Sequence, residues 1–293
     1  MKHLFIVNRI SGKGAAFKLI PTIEKICKEK NLDYAIEVTD YPSHIKDMMK
    51  NHYDDSDTIV YSVGGDGTFL DVVNYVNPQM IVGLIPAGSG NDFYRHYYGV
   101  NKDPEGMIRR LIDKEAITVD IASTDDLKFA NTTSLGIDAK ISLDSSNLIR
   151  NTFITKSPAY ILSIIYNVIF LKSLNVKMTV DGKDYSGEYY VINVMNGSYY
   201  GNGVKANPNA VLNDGFLELV LFKKANRLKV YKTLVKYLSG TASEEDGVYR
   251  IKCKEVNIEG KEKMACQSDG ENYLTNHLNI KVLNNYLKLK ISD

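Results

Sequence analysis

Three short loops in the first half of the chain combine glycine with side chains that can hold a phosphate. They read NRISGKG at residues 8–14, VGGDGT at 63–68 and PAGSGND at 86–92, and each follows an apolar run typical of a buried strand. Glycine lets backbone N–H groups approach an anion, and a hydroxyl such as that of Thr68 is a neutral donor. If the strands are parallel, the loops share one sheet edge and predict a polyphosphate site.

One acid interrupts this pattern. Asp66 stands among glycines in SVGGDGTFL (62–70), where its charge would repel a phosphate unless a cation or water lies between them. Asp-Gly is also a common turn pair. The same pair recurs at Asp181, Asp214, Asp246 and Asp269. Asp181-Gly182 indicates a hairpin turn, whereas for Asp66 both a turn and a chemical role stay open.

Familiar sites of other enzyme classes are missing from the sequence. Lys13 is followed by glycine rather than Ser or Thr, so the first loop is no P-loop, and no GxGxxG, HRD, DFG or HExxH motif occurs. The 36 basic and 35 acidic residues leave no field that would attract nucleic acid. Three cysteines far apart (Cys27, Cys253 and Cys266) fit neither a disulfide framework nor a metal site. A reducing, cytoplasmic location is therefore expected.

The elements that position these loops change in character along the chain. Up to about residue 85, apolar runs alternate with helical patterns, which predicts a parallel sheet covered by helices. Past Asp113, segments such as ITVDIA, FLELVLF, YRIKCKEVNIEG, LNIKVLN and YLKLKIS are strand-like and joined by Asn, Asp and Gly turns, which predicts an antiparallel β-rich unit. A helical stretch from about Arg227 to Leu238 interrupts these strands. We expect an α/β domain over 1–124, completed by the segment 284–293, and a β-rich domain over 125–283, with the boundary between Ile117 and Asn131.

The longest apolar stretch runs from Pro158 to Leu171. At 14 residues, with two polar ones inside, it is shorter than the roughly 20 residues that span a bilayer. The pattern favours a buried helix, and an interfacial helix is the alternative.

The order of the motifs resembles the diacylglycerol kinase catalytic family, in particular its soluble bacterial lipid kinases of the DgkB and YegS type. The motifs that carry this resemblance extend from residue 8 to residue 271. They are NRISGKG, VGGDGTFLDVVN, IPAGSGNDFYR, NTTSLGIDA, NGSYYGNG, PNAVLNDGFLELVL and QSDGE. GGDGT alone also occurs in NAD kinases, and GSGND with the final DGE separates the two. Arg9 stands where the first family motif has proline, and Ser89 where threonine is common.

The resemblance implies a Rossmann-like nucleotide-binding domain, a β-sandwich domain and an active site in the cleft between them. It also implies an ATP site that uses backbone and side chains of the glycine loops and their neighbours. The residues implied are Asn8, Ser11, Gly12, Gly14, Thr39, Gly64, Gly65, Asp66, Gly67, Thr68, Phe69, Leu70, Ser89, Asn91 and Asp92.

The resemblance further implies a magnesium loop and a catalytic base. The metal ligands would be the Asp214 carboxylate and the carbonyl oxygens of Val211 and Phe216, oxygen ligands of the kind that Mg²⁺ prefers. From the residues alone, a turn before a strand is the simpler interpretation of that segment. Glu271 is the implied proton acceptor, with Asp269 as the alternative and Asp66 as a further acid of the site.

These implications lead to an expected activity. It is the ATP- and Mg²⁺-dependent phosphorylation of a lipid hydroxyl, with diacylglycerol as the acceptor. Phosphatidylglycerol, a sphingoid base or NAD as acceptor, or a non-catalytic sensor of lipid or nucleotide, are the alternatives. The expected partners are a membrane surface, contacted transiently by exposed apolar and aromatic residues, and a second copy of the chain in a homodimer.

Overall fold

The protein has a mixed α/β architecture with a β-rich C-terminal half. The computed structural model describes residues 1–41, 43–53, 57–125, 127–151, 162–163, 166–201, 203–238 and 241–293. Within these ranges every strand belongs to one sheet of 14 strands, and none of the helices combines the length and apolar content needed to cross a bilayer.

The elements follow the chain in this order. The strands are β1 Lys2–Val7, β2 Tyr34–Val38, β3 Thr58–Gly64, β4 Ile81–Pro86, β5 Ile117–Ser123, β6 Lys128–Phe129, β7 Thr132–Gly136, β8 Leu174–Val180, β9 Lys183–Asp184, β10 Gly187–Met195, β11 Leu217–Lys223, β12 Val248–Cys253, β13 Glu255–Ser268 and β14 Glu271–Lys290. The helices are α1 Ala15–Lys18, α2 Ile20–Glu29, α3 His44–Asn51, α4 Asp66–Tyr75, α5 Asp92–Tyr98, α6 Pro104–Asp113, α7 Ile137–Asn151 and α8 Arg227–Leu238.

The N-terminal strands are parallel, with β1, β3 and β4 buried on both faces and β2 half-buried at the edge of the sheet. β1 pairs in parallel with β2 and β3, and β3 pairs in parallel with β4. Along β1, Leu4 and Ile6 join a core that includes residues of α3 and α4, whereas Phe5 and Val7 join a core that includes residues of α2 and α6. This alternation is what a strand covered on two faces requires, and it places the carboxyl ends of β1, β3 and β4 side by side.

Strand β14 connects the two halves. Its first residues pair with β13, the middle and end pair with β5, and Lys288–Lys290 pair in parallel with β4. Two segments, LNIKVLN and YLKLKIS, were expected here, and they form this one strand, whose register with β5 shifts between Leu283 and Leu287. The domain limits at residues 124 and 283 stay predictions.

The β-rich half departs from the expected elements at two points. The segment YRIKCKEVNIEG forms two strands, because Asp181 accepts hydrogen bonds from the backbone N–H groups of Lys254 and Glu255 at the break. Helix α7 follows β7 where no helix was expected. The Asp181-Gly182 turn is confirmed, with φ of 47° and 77°.

The apolar segment 158–171 lies partly outside the described residues. Its residues 162–163 and 166–169 are helical. The prediction of a buried helix is wrong for four of its apolar side chains. Leu162, Tyr166, Ile169 and Phe170 are exposed to solvent. Helix α8 begins and ends where the sequence predicted, at Arg227 and Leu238.

Candidate active site

The first two glycine loops are joined by a side-chain hydrogen bond. Asn8 Nδ2 donates to Thr68 Oγ1 at 2.9 Å, and the Asn8 backbone N–H donates to the carbonyl oxygen of Val63 at 3.0 Å. Thr39 reaches the same place, since its Oγ1 accepts from the backbone N–H of Arg9 at 3.3 Å. The ends of β1, β2 and β3 are therefore held together by the polar residues that follow them.

The third loop meets the other two through glycines. A Cβ atom on Gly12 would lie 2.2 Å from the Ala87 carbonyl oxygen, and one on Gly88 would lie 2.4 Å from Gly65 Cα. Only residues without a side chain allow these approaches. Gly12 also has a φ of 57°, in the left-handed region. The convergence of the three loops expected from the sequence is confirmed.

Asp66 begins helix α4 and is not a turn residue. Gly65 is the N-cap, so the carboxylate stands in the first turn, where a negative charge is favoured by the helix dipole. Asp66 Oδ1 accepts from the backbone N–H of Phe93 at 3.2 Å, which ties the second loop to the start of α5. Asn91, with a φ of 51°, precedes that helix and accepts from Gly88 N at 2.9 Å.

A cavity of about 900 Å³ opens beside these loops. Both halves of the chain line it. The lining residues are Asn8, Arg9, Thr39 and Tyr41 of the loops after β1 and β2, His44 of α3, Leu70, Asp71 and Asn74 of α4, and Glu271, Tyr273 and Leu274 of the start of β14. Four of the site residues predicted from the sequence, namely Asn8, Thr39, Leu70 and Glu271, thus share one cavity.

Glu271 reaches the cavity because it follows a tight hairpin turn. Asp269 and Gly270 have φ of 44° and 100°, and Ser268 pairs with Glu271. A two-residue turn with both φ positive matches the strand twist, and Asp-Gly is a preferred pair for it. Glu271 is the first residue after the turn and is exposed. This geometry presents its carboxylate at the tip of a rigid hairpin.

The Asp269 carboxylate accepts hydrogen bonds from backbone N–H groups next to that turn. Its Oδ2 accepts from Ala130 N at 2.6 Å, and its Oδ1 accepts from Thr132 N at 2.8 Å, with Asn131 N within reach of both oxygens. Burial raises the pKa of Asp269 to about 6, against these hydrogen bonds, which favour the ionised form. The charge of Asp66 adds to the rise, so these two predicted acids are neighbours.

Asp71 is a cavity residue that sequence reasoning missed. Burial raises the pKa of Asp71 to about 6, and the charge of Glu271 adds to the rise. The two carboxyls therefore interact within the cavity, although they come from opposite halves of the chain. An acid within the apolar pattern FLDVVNYV was the available signal, because a helix covering a sheet places apolar residues inward.

Asp120 is a second residue that the sequence did not reveal as important. It is fully buried in β5, and its two oxygens accept from the backbone N–H groups of Gly215 and Asn285, both at 2.7 Å. It thereby ties the loop before β11 to the irregular part of β14. An acid inside an otherwise apolar strand, ITVDIA, is rarely buried without partners, and it was the available signal in the sequence for a structural role.

The predicted magnesium loop holds an ion pair. Lys252 Nζ lies 2.6 Å from Asp214 Oδ2, and Asp214 Oδ1 accepts from the Phe216 backbone N–H at 3.1 Å. A metal at Val211, Asp214 and Phe216 would have to displace the ammonium, so the loop fits Mg²⁺ only if Lys252 moves away. Among the residues that the structure describes, no group of three His, Cys, Asp or Glu side chains could hold a metal ion. This metal site stays a prediction.

The remaining predicted residues differ in burial and in position. The Phe69 side chain is buried in the core, and its N–H donates to the Gly65 carbonyl oxygen at 3.1 Å, so it offers a nucleotide little contact. Ser89 and Gly67 are exposed, and Asp92 is buried at the start of α5. Gly14 stands apart, since the nearest atom to a Cβ there would be the Arg9 carbonyl oxygen at 4.0 Å.

Both halves of the chain match known protein families. Residues 2–124 match the diacylglycerol kinase catalytic domain, and residues 131–291 match the YegS C-terminal NAD kinase beta sandwich-like domain. The diacylglycerol kinase of Bacillus subtilis (strain 168) is 27% identical over 216 residues, which cover 73% of this chain and 71% of that protein. The diacylglycerol kinase of Staphylococcus epidermidis (strain RP62A) is 25% identical over 273 residues, 91% of this chain and 84% of that protein.

A solved structure shares the fold. The crystal structure of a diacylglycerol kinase from Bacillus anthracis str. Sterne superposes with a TM-score of 0.72 at 23% identity, covering 99% of this chain and 97% of that one. From these matches, which extend over both halves, the chain belongs to the diacylglycerol kinase catalytic family with a YegS-type C-terminal domain, a family of ATP-using phosphotransferases.

Proposed function

We propose that this protein transfers the γ-phosphate of ATP to the hydroxyl of diacylglycerol and so forms phosphatidic acid. The observation that supports this most is the shared cavity, in which Asn8 and Thr39 of the glycine-loop edge stand in the same space as Glu271 of the opposite half. A phosphoryl donor on one wall and an acceptor hydroxyl on the other is the arrangement that direct transfer needs. The names of the similar proteins support diacylglycerol as the acceptor.

The glycine loops supply the nucleotide side. Close packing of Gly12 on Ala87 and of Gly65 on Gly88 brings three stretches of backbone to one edge, where N–H groups can hold phosphate oxygens. Thr68 accepts from Asn8, and its own hydroxyl hydrogen can be donated to a phosphate. ATP enters as its Mg²⁺ complex, and the metal offsets the charge gathered on the phosphates.

Glu271 supplies the acceptor side. Its carboxylate takes the proton of the lipid hydroxyl as that oxygen bonds to the γ-phosphorus, and the bond from the γ-phosphorus to the bridging oxygen breaks to release ADP. Asp269 does not need to accept this proton, since its oxygens are bonded to three backbone N–H groups. Its role is to fix the hairpin that presents Glu271.

The test is transfer of label from [γ-³²P]ATP to diacylglycerol in mixed micelles. Glu271→Gln keeps the size of the side chain and removes the base, so we expect kcat to fall about 10²- to 10⁴-fold with little change in the KM for ATP. Full activity of Glu271→Gln would exclude it as the base.

The acceptor is tested in the same assay. Phosphatidylglycerol, a sphingoid base and NAD are offered in parallel. If label appeared in the product of only one of these compounds, that compound would be the acceptor instead of diacylglycerol. If the protein bound ATP and lipid but labelled no acceptor, a sensor role would replace catalysis.

A further inference from the structure

Strand β2 is the edge strand of the parallel part of the sheet, and no glycine loop follows it. The strand order there is β4-β3-β1-β2, so the three glycine loops follow three adjacent strands and the residues after β2 stand next to the first loop. In place of glycine the chain has Thr39, Asp40 and Tyr41, and all three line the cavity. Neighbouring strands lie about 4.8 Å apart. Within a short distance, the edge of the site therefore changes from exposed backbone to polar and aromatic side chains.

The Asp40 carboxylate gives this end of the cavity an acceptor with a negative charge. Asp40 Oδ1 lies 3.2 Å from Arg9 Nη2, and both side chains are more than half exposed, so water screens the pair. A carboxylate accepts about four hydrogen bonds, so one partner leaves it free to accept others. In the dinucleotide-binding α/β fold, an acid about 20 residues beyond the glycine loop accepts from a ribose hydroxyl in this way. Asp40 follows the first glycine loop at a comparable separation.

Tyr41 and His44 form a stacked pair of rings beside Asp40. Their ring centroids are 4.2 Å apart and the ring planes differ by 19°. The Tyr41 hydroxyl donates to Asp47 Oδ2 at 2.9 Å, and the Asp40 backbone N–H donates to His44 Nδ1 at 3.1 Å. Each ring is thus held both by stacking and by a hydrogen bond. Because the pair is fixed before a ligand binds, stacking on it costs little side-chain entropy.

Tyr41 is the outer ring of the pair. It is 51% exposed, whereas His44 is half-buried, and both residues line the cavity. Since His44 covers one face of the Tyr41 ring, the exposed half of Tyr41 includes the other face. A flat base stacks favourably on such a ring. An acyl chain is disfavoured at the same place, because it would take water away from the neighbouring Asp40 carboxylate. A ring beside a carboxylate therefore fits a base that is attached to a sugar.

We propose that the end of β2 holds the nucleoside of the phosphoryl donor, with the ribose hydroxyls bonded to the Asp40 carboxylate and the base stacked on Tyr41. The inference rests on the proposed function, in which ATP is the donor, and it adds the direction in which the nucleotide lies. The phosphates extend from β2 toward the glycine loops after β1, β3 and β4. Asp40 opposes the reverse orientation, because its charge would repel a phosphate placed at β2. The same carboxylate selects a ribonucleotide over a deoxyribonucleotide.

The test measures nucleotide binding by the full chain without an acceptor. Isothermal titration calorimetry gives the Kd of ATP, 2′-deoxy-ATP and inorganic triphosphate, each with Mg²⁺. We expect wild type to bind ATP about tenfold more tightly than 2′-deoxy-ATP, since the latter lacks one hydrogen bond to a charged acceptor. In Asp40→Asn this ratio should fall to about threefold or less, because a neutral amide oxygen is a weaker acceptor. Tyr41→Leu should weaken the binding of ATP about tenfold and leave that of triphosphate unchanged.

Two matched controls lie outside the cavity. Asp33→Asn removes an exposed carboxylate just before β2, at the opposite end of the strand from Asp40. Tyr53→Leu removes a tyrosine that is 48% exposed after α3. We expect both controls to bind all three ligands as wild type does. Tyr41→Phe keeps the ring and loses only the hydrogen bond to Asp47, so its Kd for ATP should stay close to the wild-type value. Thermal unfolding confirms that each variant is folded.

The outcomes separate nucleoside binding from catalysis. An unchanged ratio of the two nucleotide Kd values in Asp40→Asn would overturn the ribose assignment, and an unchanged Kd for ATP in Tyr41→Leu would overturn the base assignment. If Tyr41→Leu raised only the KM for diacylglycerol, the ring would belong to the acceptor site and the proposal would fail. If the expected Kd values were found but wild type labelled no diacylglycerol, the proposed function would fail and the nucleoside assignment would stand.

Discussion

Lys252 Nζ lies 2.6 Å from Asp214 Oδ2, so the loop at which a metal was predicted already has a positive charge. Wild-type protein without nucleotide should therefore gain little thermal stability from Mg²⁺. Lys252→Met frees the carboxylate, and we expect millimolar Mg²⁺ to raise its Tm by about 2 °C or more.

Lys254→Met is the matched control for this measurement. Lys254 packs over the Phe216 ring, with Nζ 5.0 Å from the centroid, and makes no hydrogen bond to Asp214. Its removal should leave the response to Mg²⁺ as in wild type. A clear Tm rise with Mg²⁺ in the wild type would show that the metal displaces Lys252, as the sequence-based prediction requires.

Gly12 and Gly14 form a second matched pair. Both have positive φ, of 57° and 86°, but a methyl group at Gly12 would collide with the Ala87 carbonyl oxygen, whereas space is open at Gly14. We expect Gly14→Ala to lower the free energy of unfolding by about 1 kcal/mol, and Gly12→Ala by about 2–4 kcal/mol.

The KM for ATP shows whether Gly12→Ala changes the nucleotide site or only strains the backbone. Gly12→Ala pushes the first loop away from the third, so the KM for ATP should rise, whereas in Gly14→Ala it should stay near the wild-type value. Equal KM values in both variants would argue that the contact between Gly12 and Ala87 does not shape the nucleotide site.

Asp71 should affect the pH dependence of turnover. Since the pKa of Asp71 is about 6, the residue is charged at neutral pH and its charge acts on Glu271. In Asp71→Asn that repulsion is gone, so the acid limb of the kcat/KM profile should move to lower pH. The measurement is kcat/KM from pH 5 to 8.

Two further variants show whether the charge is the cause. Asp71→Glu should restore the wild-type profile, and Asp125→Asn, which removes another carboxylate of the cavity, should leave the acid limb in place. If Asp71→Asn lowered activity equally at every pH, Asp71 would act by packing alone.

Asp138 should lower the stability of the protein at neutral pH. Asp138 is the second residue of α7, and its Oδ1 accepts from the backbone N–H of Ala139 at 2.9 Å. Burial raises the pKa of Asp138 to about 6. The folded state then binds a proton more tightly than the unfolded state, so the favourable contribution is complete below about pH 4 and is lost as pH rises to about 6.

Asp138→Asn removes this dependence. The free energy of unfolding of the variant, relative to wild type, should rise between pH 4 and pH 6.5 by up to about 3 kcal/mol, the equivalent of two pKa units. Chemical unfolding at a series of pH values measures it. A constant difference between variant and wild type would mean that Asp138 is not protonated in the folded protein over this range.

Much of the fold was predictable because its signals are local. Buried parallel strands are continuous apolar runs, and the loops that follow them must share one edge, so the convergence of residues 8–14, 63–68 and 86–92 followed from the sequence. The Asp181-Gly182 turn carried its own signature. Helix α7 was not foreseen, because its pattern, IDAKISLDSSNL, has mixed polarity and its position depends on contacts with the distant hairpin.

The candidate site was predictable only where it depended on local patterns or motifs. The glycine loops were predicted from the apolar runs that precede them, whereas Glu271 was predicted only from the order of the motifs. Asp71 and Asp120 were missed, because Asp71 interacts with a residue 200 positions later in the chain and Asp120 with backbone N–H groups of the loop before β11 and of β14. Tertiary contacts of this kind leave no spacing in the sequence that could reveal them.

The long strand β14 runs from the wall of the cavity into the parallel part of the sheet. It begins at Glu271, which lines the cavity, and its last residues pair with β4, so one continuous strand connects the two walls. The place suited to bending is Asn284–Tyr286, where the register shifts, Asn285 has a φ of 50°, and Asp120 holds the Asn285 N–H. If the two walls of the cavity separate, we expect β14 to bend at this irregular stretch, with the hydrogen bond from the Asn285 N–H to Asp120 opposing the bend.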